Sequence, residues 1–337
     1  MVQITTEQKF SQYQNNMERI DDVETNSGRV QQYEGYFKNK EGKELYFRLY
    51  VNPKMVEKPG LVAIHGTTSG GATFKKTIKP WIDESEYSWI ITPDMPGHGR
   101  SQKITEKKSI ESFAEDFHDL ITHVGNQEVF QTNDKKTDRY VVTTNSGHAA
   151  VAVEMYNQDR ARIKEGDAYL EDKGEVEGVI LQGPVYHPSD TFLGRFGMPL
   201  VKLMGVLPIG NLSQIVSRIY GRKWAKTDAD KNIQKTRKVI TDNKSVYHDV
   251  NAMIDWYRRH EYHKTHKLND HDDMKIAVIH SPGHDNLSKL SEEELTEIHG
   301  ENTIYIRLNE DEGHHLQKQN PQKLAKYHTK IMGMWGI

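Results

Sequence analysis

The stretch Asp138–Met155, DRYVVTTNSGHAAVAVEM, decides how this chain is read. Arg139 to Thr144 is rich in β-branched and aromatic residues and predicts a buried strand, while Ala149, Ala150, Ala152 and Val153 open an apolar helix over 147–157. Only Asn145-Ser146-Gly147-His148 separates the two, so the link is a sharp turn. A strand that enters a helix this way lifts one side chain above the sheet edge and aims the next backbone N–H at the same point. That pairs a nucleophile with a donor for developing negative charge. Two registers are open. With Ser146 at the turn, Tyr140–Thr143 fill the strand; with Asn145 there, an inert amide takes the nucleophile's place and Arg139 enters the buried strand. The first fits better. Taken alone, a serine before a glycine is an ordinary helix N-cap, so the neighbouring elements must give it meaning.

Short apolar runs recur on both sides: LVAIH (61–65), WIITPD (89–94), VEGVILQG (176–183), MKIAVIH (274–280) and NTIYIRL (302–308). Runs like these are typical of parallel strands buried on both faces. Helices are expected at Ala72–Ile82, Ile110–Val124, Glu292–His299 and Pro321–Met332. Strands alternating with helices predict an α/β fold with a mostly parallel sheet covered on both faces. Ahead of them, QYEGYF and ELYFRLYV read as a hairpin turning at Glu41-Gly42. Residues 1–30 form an N-terminal extension with a helical candidate over Thr6–Ile20, carried by Phe10, Tyr13, Met17 and Ile20. Val185–Asp270 breaks the rhythm: it is mostly helical with no clear strand, and so predicts a cap (185–270) inserted into a core of 31–184 and 271–337.

Composition narrows the partners. Over 337 residues, 45 Lys plus Arg against 48 Asp plus Glu leave a net charge of −3, which gives no general pull toward nucleic acid or anionic membrane. With no cysteine, disulfides, thiolate nucleophiles and Cys-based metal sites are excluded. No secretory signal is read at Met1–Phe10, and the most apolar stretch, Leu203–Ile209, is too short to span a bilayer. A cytoplasmic location is the expectation.

The turn at Ser146, taken with three further strings, resembles the α/β-hydrolase superfamily. The family's Gly-x-Ser-x-Gly is here Thr144-Asn145-Ser146-Gly147-His148, lacking both flanking glycines. LVAIHGTTSGG (61–71) is similar to the family's strand and His-Gly loop. Asp94-Met-Pro-Gly-His-Gly-Arg-Ser101 matches its Asp-x-x-Gly-x-Gly-x-Ser turn, a structural element. Gly313-His314-His315-Leu316 resembles the loop of the catalytic histidine. The resemblance implies a serine hydrolase of the α/β-hydrolase fold with a Ser-His-Asp triad: Ser146 as nucleophile, His314 (alternate His315) as base, and Asp285, in IAVIHSPGHDNL, as the acid. The oxyanion hole would be the N–H groups of Gly147 and Thr67, with Thr68 as the alternative to Thr67. A small to medium carboxylic ester, split through an acyl-serine without cofactor or metal, is the implied substrate. Carbon–carbon bond hydrolysis on the same fold is the nearest enzymatic alternative. The non-enzymatic one is an inactive receptor or scaffold whose turn is spoiled by Thr144 and His148.

Within the cap, Phe196, Met204 and Leu207 are candidates to roof the site and bind substrate. His260, His263, His266 and His271 fan around a helix rather than converge, and predict a polar face rather than a zinc site.

Overall fold

The structure is a computed structural model that describes residues 17–26, 28–52, 54, 57–67, 69–131, 139–165, 174–184, 243–259, 275–280, 292–309, 312 and 314–337. Among these, nine strands form one sheet: β1 (Met17–Thr25), β2 (Gly28–Lys38), β3 (Glu44–Val51), β4 (Gly60–Ile64), β5 (Trp89–Pro93), β6 (Arg139–Asn145), β7 (Glu175–Gln182), β8 (Ile276–His280) and β9 (Ile304–Arg307). Their order is β1-β2-β3-β5-β4-β6-β7-β8-β9. The first three strands and β5 are joined by antiparallel pairs. From β5 to β9 every pair is parallel.

Period-two alternation divides the core between the faces of the sheet. Val62, Ile64, Ile91 and Val142 pack with helices α2 (Ile110–Gly125), α3 (Ala149–Glu165) and α4 (Asn243–Arg259). Leu61, Ala63, Ile90 and Val141 face the other way, onto α1 (Ile78–Ser85) and α6 (Pro321–Trp335). Helix α5 (Glu292–His299) lies between β8 and β9 in the chain and buries Leu295. Helix starts follow their sequence signals: Ser109 accepts a hydrogen bond from the Ser112 N–H, and Asn320, ahead of Pro321, accepts one from Lys323.

The expected hairpin forms. Asn39 Oδ1 accepts from the N–H groups of Glu41 and Lys43, and Gly42 takes φ 75°, which a glycine adopts without strain. One expectation is corrected. Met17–Ile20, read as the end of a helix, begins strand β1, which pairs antiparallel with β2 through a bulge between Arg19 and Asp21. The three- and four-residue spacing was coincidental. The free edge of β2 satisfies a whole row of backbone groups at once, which outweighs a weak local helical preference. The rest of the expected helix, Thr6–Asn16, lies outside the described residues.

Chain direction locates the site. From β4 the chain crosses to β5 on one side of the sheet, and from β5 it returns to β6 on the other side of β4. The loops leaving the carboxyl ends of β4 and β6 therefore diverge around a crevice, where ligands settle in open α/β sheets.

On the face away from α3, His328 of α6 is fully buried, its Nδ1 3.0 Å from the Tyr87 hydroxyl and its ring 5.2 Å from that of Trp81. Burial pushes its pKa down to about 3, and does the same to His299. The unfolded chain binds these protons below about pH 6.5 and the folded chain does not, so stability falls as pH drops from 6.5 toward 3. The loss is roughly 1.4 kcal/mol per pH unit for each such histidine. We expect His328→Gln to be less stable than wild type at pH 7.5 but to lose less between pH 6.5 and 4. Urea midpoints across that range check this; equal slopes for the two proteins would refute it.

Candidate active site

Strand β6 ends in extended backbone at Asn145 (φ −118°, ψ 130°), and the next residue, Ser146, has φ 66°. A left-handed serine costs about 1–2 kcal/mol, which the surrounding packing must supply. Of the two registers, the turn residue is thus Ser146, with Asn145 closing the strand. A short 3₁₀ turn, Ser146–His148, then leads into α3. Ser146 is half-buried, whereas 140–145 and 147–150 are all buried, so the turn raises this one side chain toward open space.

The loop after β4 crosses directly beside this turn. A Cβ on Gly66 would stand 2.8 Å from the Asn145 carbonyl oxygen and 3.0 Å from Ser146 Cβ, so only glycine fits there. A Cβ on Gly147 would lie 2.7 Å from Thr67 Oγ1 and 3.1 Å from Met253 Sδ. Thr67 and Gly147 are neighbours across the crevice. The loop before α6 arrives from the other side, where the Asn145 side-chain amide donates to the His314 carbonyl oxygen at 3.2 Å. His314 is half-buried and its ring meets that of buried His315 edge-on at 5.2 Å. The three loops that carry Ser146 and Gly147, Thr67, and His314 therefore meet at the end of β6. Asp285, Thr68, Phe196, Met204, Leu207 and the four histidines at 260–271 lie outside the described residues.

The Asp94–Ser101 string holds the floor. Asp94 Oδ1 accepts from the Gly71 N–H at 2.6 Å and Oδ2 from the Arg100 N–H at 2.8 Å, while Ser101 Oγ donates to the Asp94 carbonyl at 2.7 Å. The Asp94 and Ser101 side chains are thus spent on backbone, as expected of a structural turn, while Arg100 reaches out to Glu34 and Tyr46.

Sequence reasoning missed what surrounds His148. Its ring is fully buried, with Nδ1 bonded to the His65 carbonyl oxygen and Nε2 3.0 Å from both Oδ1 and Oδ2 of Asp249 in α4. A carbonyl only accepts, so Nδ1 carries a proton. His98 has the same polarity: Nδ1 lies 3.0 Å from the Pro96 carbonyl, and Nε2 lies 3.5 Å from Asp249 Oδ2. His65 is spent differently, with Nδ1 on the Gly66 carbonyl and Nε2 accepting from the Met95 N–H at 2.9 Å. Burial opposes charge on His148, yet the Asp249 carboxylate, by its charge and its hydrogen bond, holds the imidazole above its ordinary pKa. Burial likewise opposes charge on Asp249, and His148 holds it below the usual carboxylate value. No sequence signal links positions 98, 148 and 249, which come from three separate elements.

No protein-family model matches the chain, and no curated protein matches it. Solved structures do. A thermophilic esterase from Thermogutta terrifontis, with malate bound, superposes with a TM-score of 0.60 at 15% identity, over 95% of this chain and 100% of its own. The AqdC variant in complex with its substrate, a structure of recognition and ring-cleavage of the Pseudomonas quinolone signal, gives 0.62 at 14% identity over 89% and 99%. The Cif epoxide hydrolase from Acinetobacter nosocomialis gives 0.59 at 13% identity over 89% of each chain. At these identities the likeness is one of fold: the chain has the α/β-hydrolase fold. No helix among the described residues is long and apolar enough to cross a membrane.

The strain at Ser146 is measurable. Glycine tolerates φ 66° and alanine does not, so Ser146→Gly should be more stable than Ser146→Ala by about 1 kcal/mol. Equal denaturation midpoints for the two variants would mean that the turn is not left-handed in solution.

Proposed function

We propose that the chain is a serine hydrolase that cleaves a small to medium carboxylic ester through an acyl-serine intermediate. One observation carries this: a non-glycine residue held left-handed at the turn between β6 and α3 is the serine, and its neighbours Gly147 and Asn145 lie against Thr67 and the His314 carbonyl. Strain of this kind persists where the surroundings over-determine it, and it serves to pre-organise a reactive group.

In this reading Ser146 Oγ attacks the ester carbonyl carbon and its proton passes to the His314 imidazole. The electron pair of the carbonyl moves to oxygen, and the N–H groups of Gly147 and Thr67 stabilise that oxyanion. Collapse of the tetrahedral intermediate expels the alcohol, which takes the proton from the imidazolium; water then attacks the acyl-serine by the same route in reverse. Asp285 would hold the imidazole tautomer and stabilise its charged form. The two departures from the family's glycines are compatible with this. Thr144 lies in the strand and is fully buried, and the His148 ring is held between the His65 carbonyl and Asp249.

Labelling with a fluorophosphonate, followed by peptide mapping, tests the proposal. A single adduct on Ser146 is expected, and Ser146→Ala should lose ~10⁴-fold or more in p-nitrophenyl ester hydrolysis while keeping its circular dichroism. Folded wild type that takes no label would favour the non-catalytic, ligand-binding reading instead. If Phe196, Met204 and Leu207 roof the site, truncating each to alanine should shift acyl-chain preference by about 1–3 kcal/mol with acetyl esters little affected. Parallel losses in kcat/KM for short and long esters, tracking a lowered Tm, would assign them to holding the cap together.

A further inference from the structure

We propose that His98, His148 and Asp249 bind one divalent transition-metal ion of the zinc class, seated between the loop after β5, the start of α3 and helix α4. The three donors lie within 4.8 Å of one another and all are fully buried. Metal–ligand bonds of 2.0–2.2 Å place tetrahedral donors about 3.4 Å apart. The observed separations, 3.0 Å from His148 Nε2 and 3.5 Å from His98 Nε2 to the carboxylate, bracket that spacing.

The second shell supports the same reading. A ligating histidine donates its other ring N–H to a carbonyl or carboxylate, which fixes the tautomer and aims the lone pair. Both rings do so here, His148 to the His65 carbonyl and His98 to the Pro96 carbonyl, and both turn Nε2 to the same carboxylate. A dication between the two imidazoles and the carboxylate would draw on all three as donors while the outer ring N–H groups stay on their carbonyls. The Asp249 carboxylate supplies the third donor through one oxygen, which would leave the fourth tetrahedral position to water. Two imidazoles with one carboxylate suit zinc or cobalt rather than the all-oxygen preference of magnesium or calcium.

The ion would be structural. It would tie α4 and the Asp94–Ser101 loop to the turn at Ser146, and through the His65 carbonyl to the loop that carries Gly66 and Thr67. It also explains a histidine at position 148, where the closely packed turn otherwise favours glycine. This site differs from the expectation that the protein has no metal, and it involves none of the cap histidines from which a zinc site was considered in the sequence.

The test uses the full chain and does not depend on activity, so its failure would leave the hydrolase proposal standing. Metal-depleted wild type is titrated with Co²⁺. One equivalent should bind, bring in the visible absorption of low-coordinate Co²⁺, raise Tm, and be displaced by Zn²⁺. His98→Asn keeps the His148–Asp249 pair and should remain folded, yet weaken binding by about 100-fold or more, beyond the loss of an outer hydrogen bond. Folded wild type that takes up neither ion, or uptake unchanged in His98→Asn, would overturn the proposal.

Discussion

Everything at this site depends on one strained residue. Ser146 keeps φ 66° because the strand before it and the helix after it are both buried and leave the turn no room to relax. The constraint spreads outward. Gly66 can carry no side chain because the Asn145 carbonyl and Ser146 fill its space, and a Cβ at Gly147 would press on the Thr67 hydroxyl. The loop after β4 is thereby pressed against the start of α3. Such close approach is hard to build on a flexible loop, and here it rests on two central strands, β4 and β6, paired in register from Gly60 to Ile64.

Helix α4 is the second support. It comes from the segment expected to be an inserted cap, yet its apolar face, including Val246, Val250, Met253 and Trp256, belongs to the same core as α2 and α3. Polar contacts fix its position: the Trp256 indole N–H donates to Glu154 of α3 at 3.0 Å, and Asp249 reaches His148. Apolar packing holds the helix against the sheet domain, while the directional bonds set its rotation and register. Removing one partner from such a buried charged set costs more than the pair contributes, since the other charge is then stranded without water.

The outer sheet shows the limits of local patterns. The hairpin of β2 and β3 is legible because alternation, a glycine and an asparagine cooperate within a dozen residues. Strand β1 is not legible, because its conformation answers to hydrogen bonds offered by β2 rather than to its own side chains. Its exposed residues carry a spacing that suits a helix equally well, and only the available edge decides between the two.

What the sequence determined by itself was the α/β alternation, the strand–turn–helix around Ser146 and the structural loop Asp94–Ser101, because in each case the residues that interact lie close together in the chain. The choice of Ser146 over Asn145 as the turn residue needed backbone dihedrals, since one residue of slip leaves the composition of strand and helix almost unchanged. The approach of the loops that carry Thr67, Ser146 and His314, and the cluster of His98, His148 and Asp249, were decided only by tertiary structure. His148 reads in sequence as damage to a glycine turn; in space it has a carboxylate partner 101 residues away. The reason is that hydrophobic periodicity encodes which face of an element is buried, whereas the pairing of buried polar groups depends on which elements the completed sheet brings side by side.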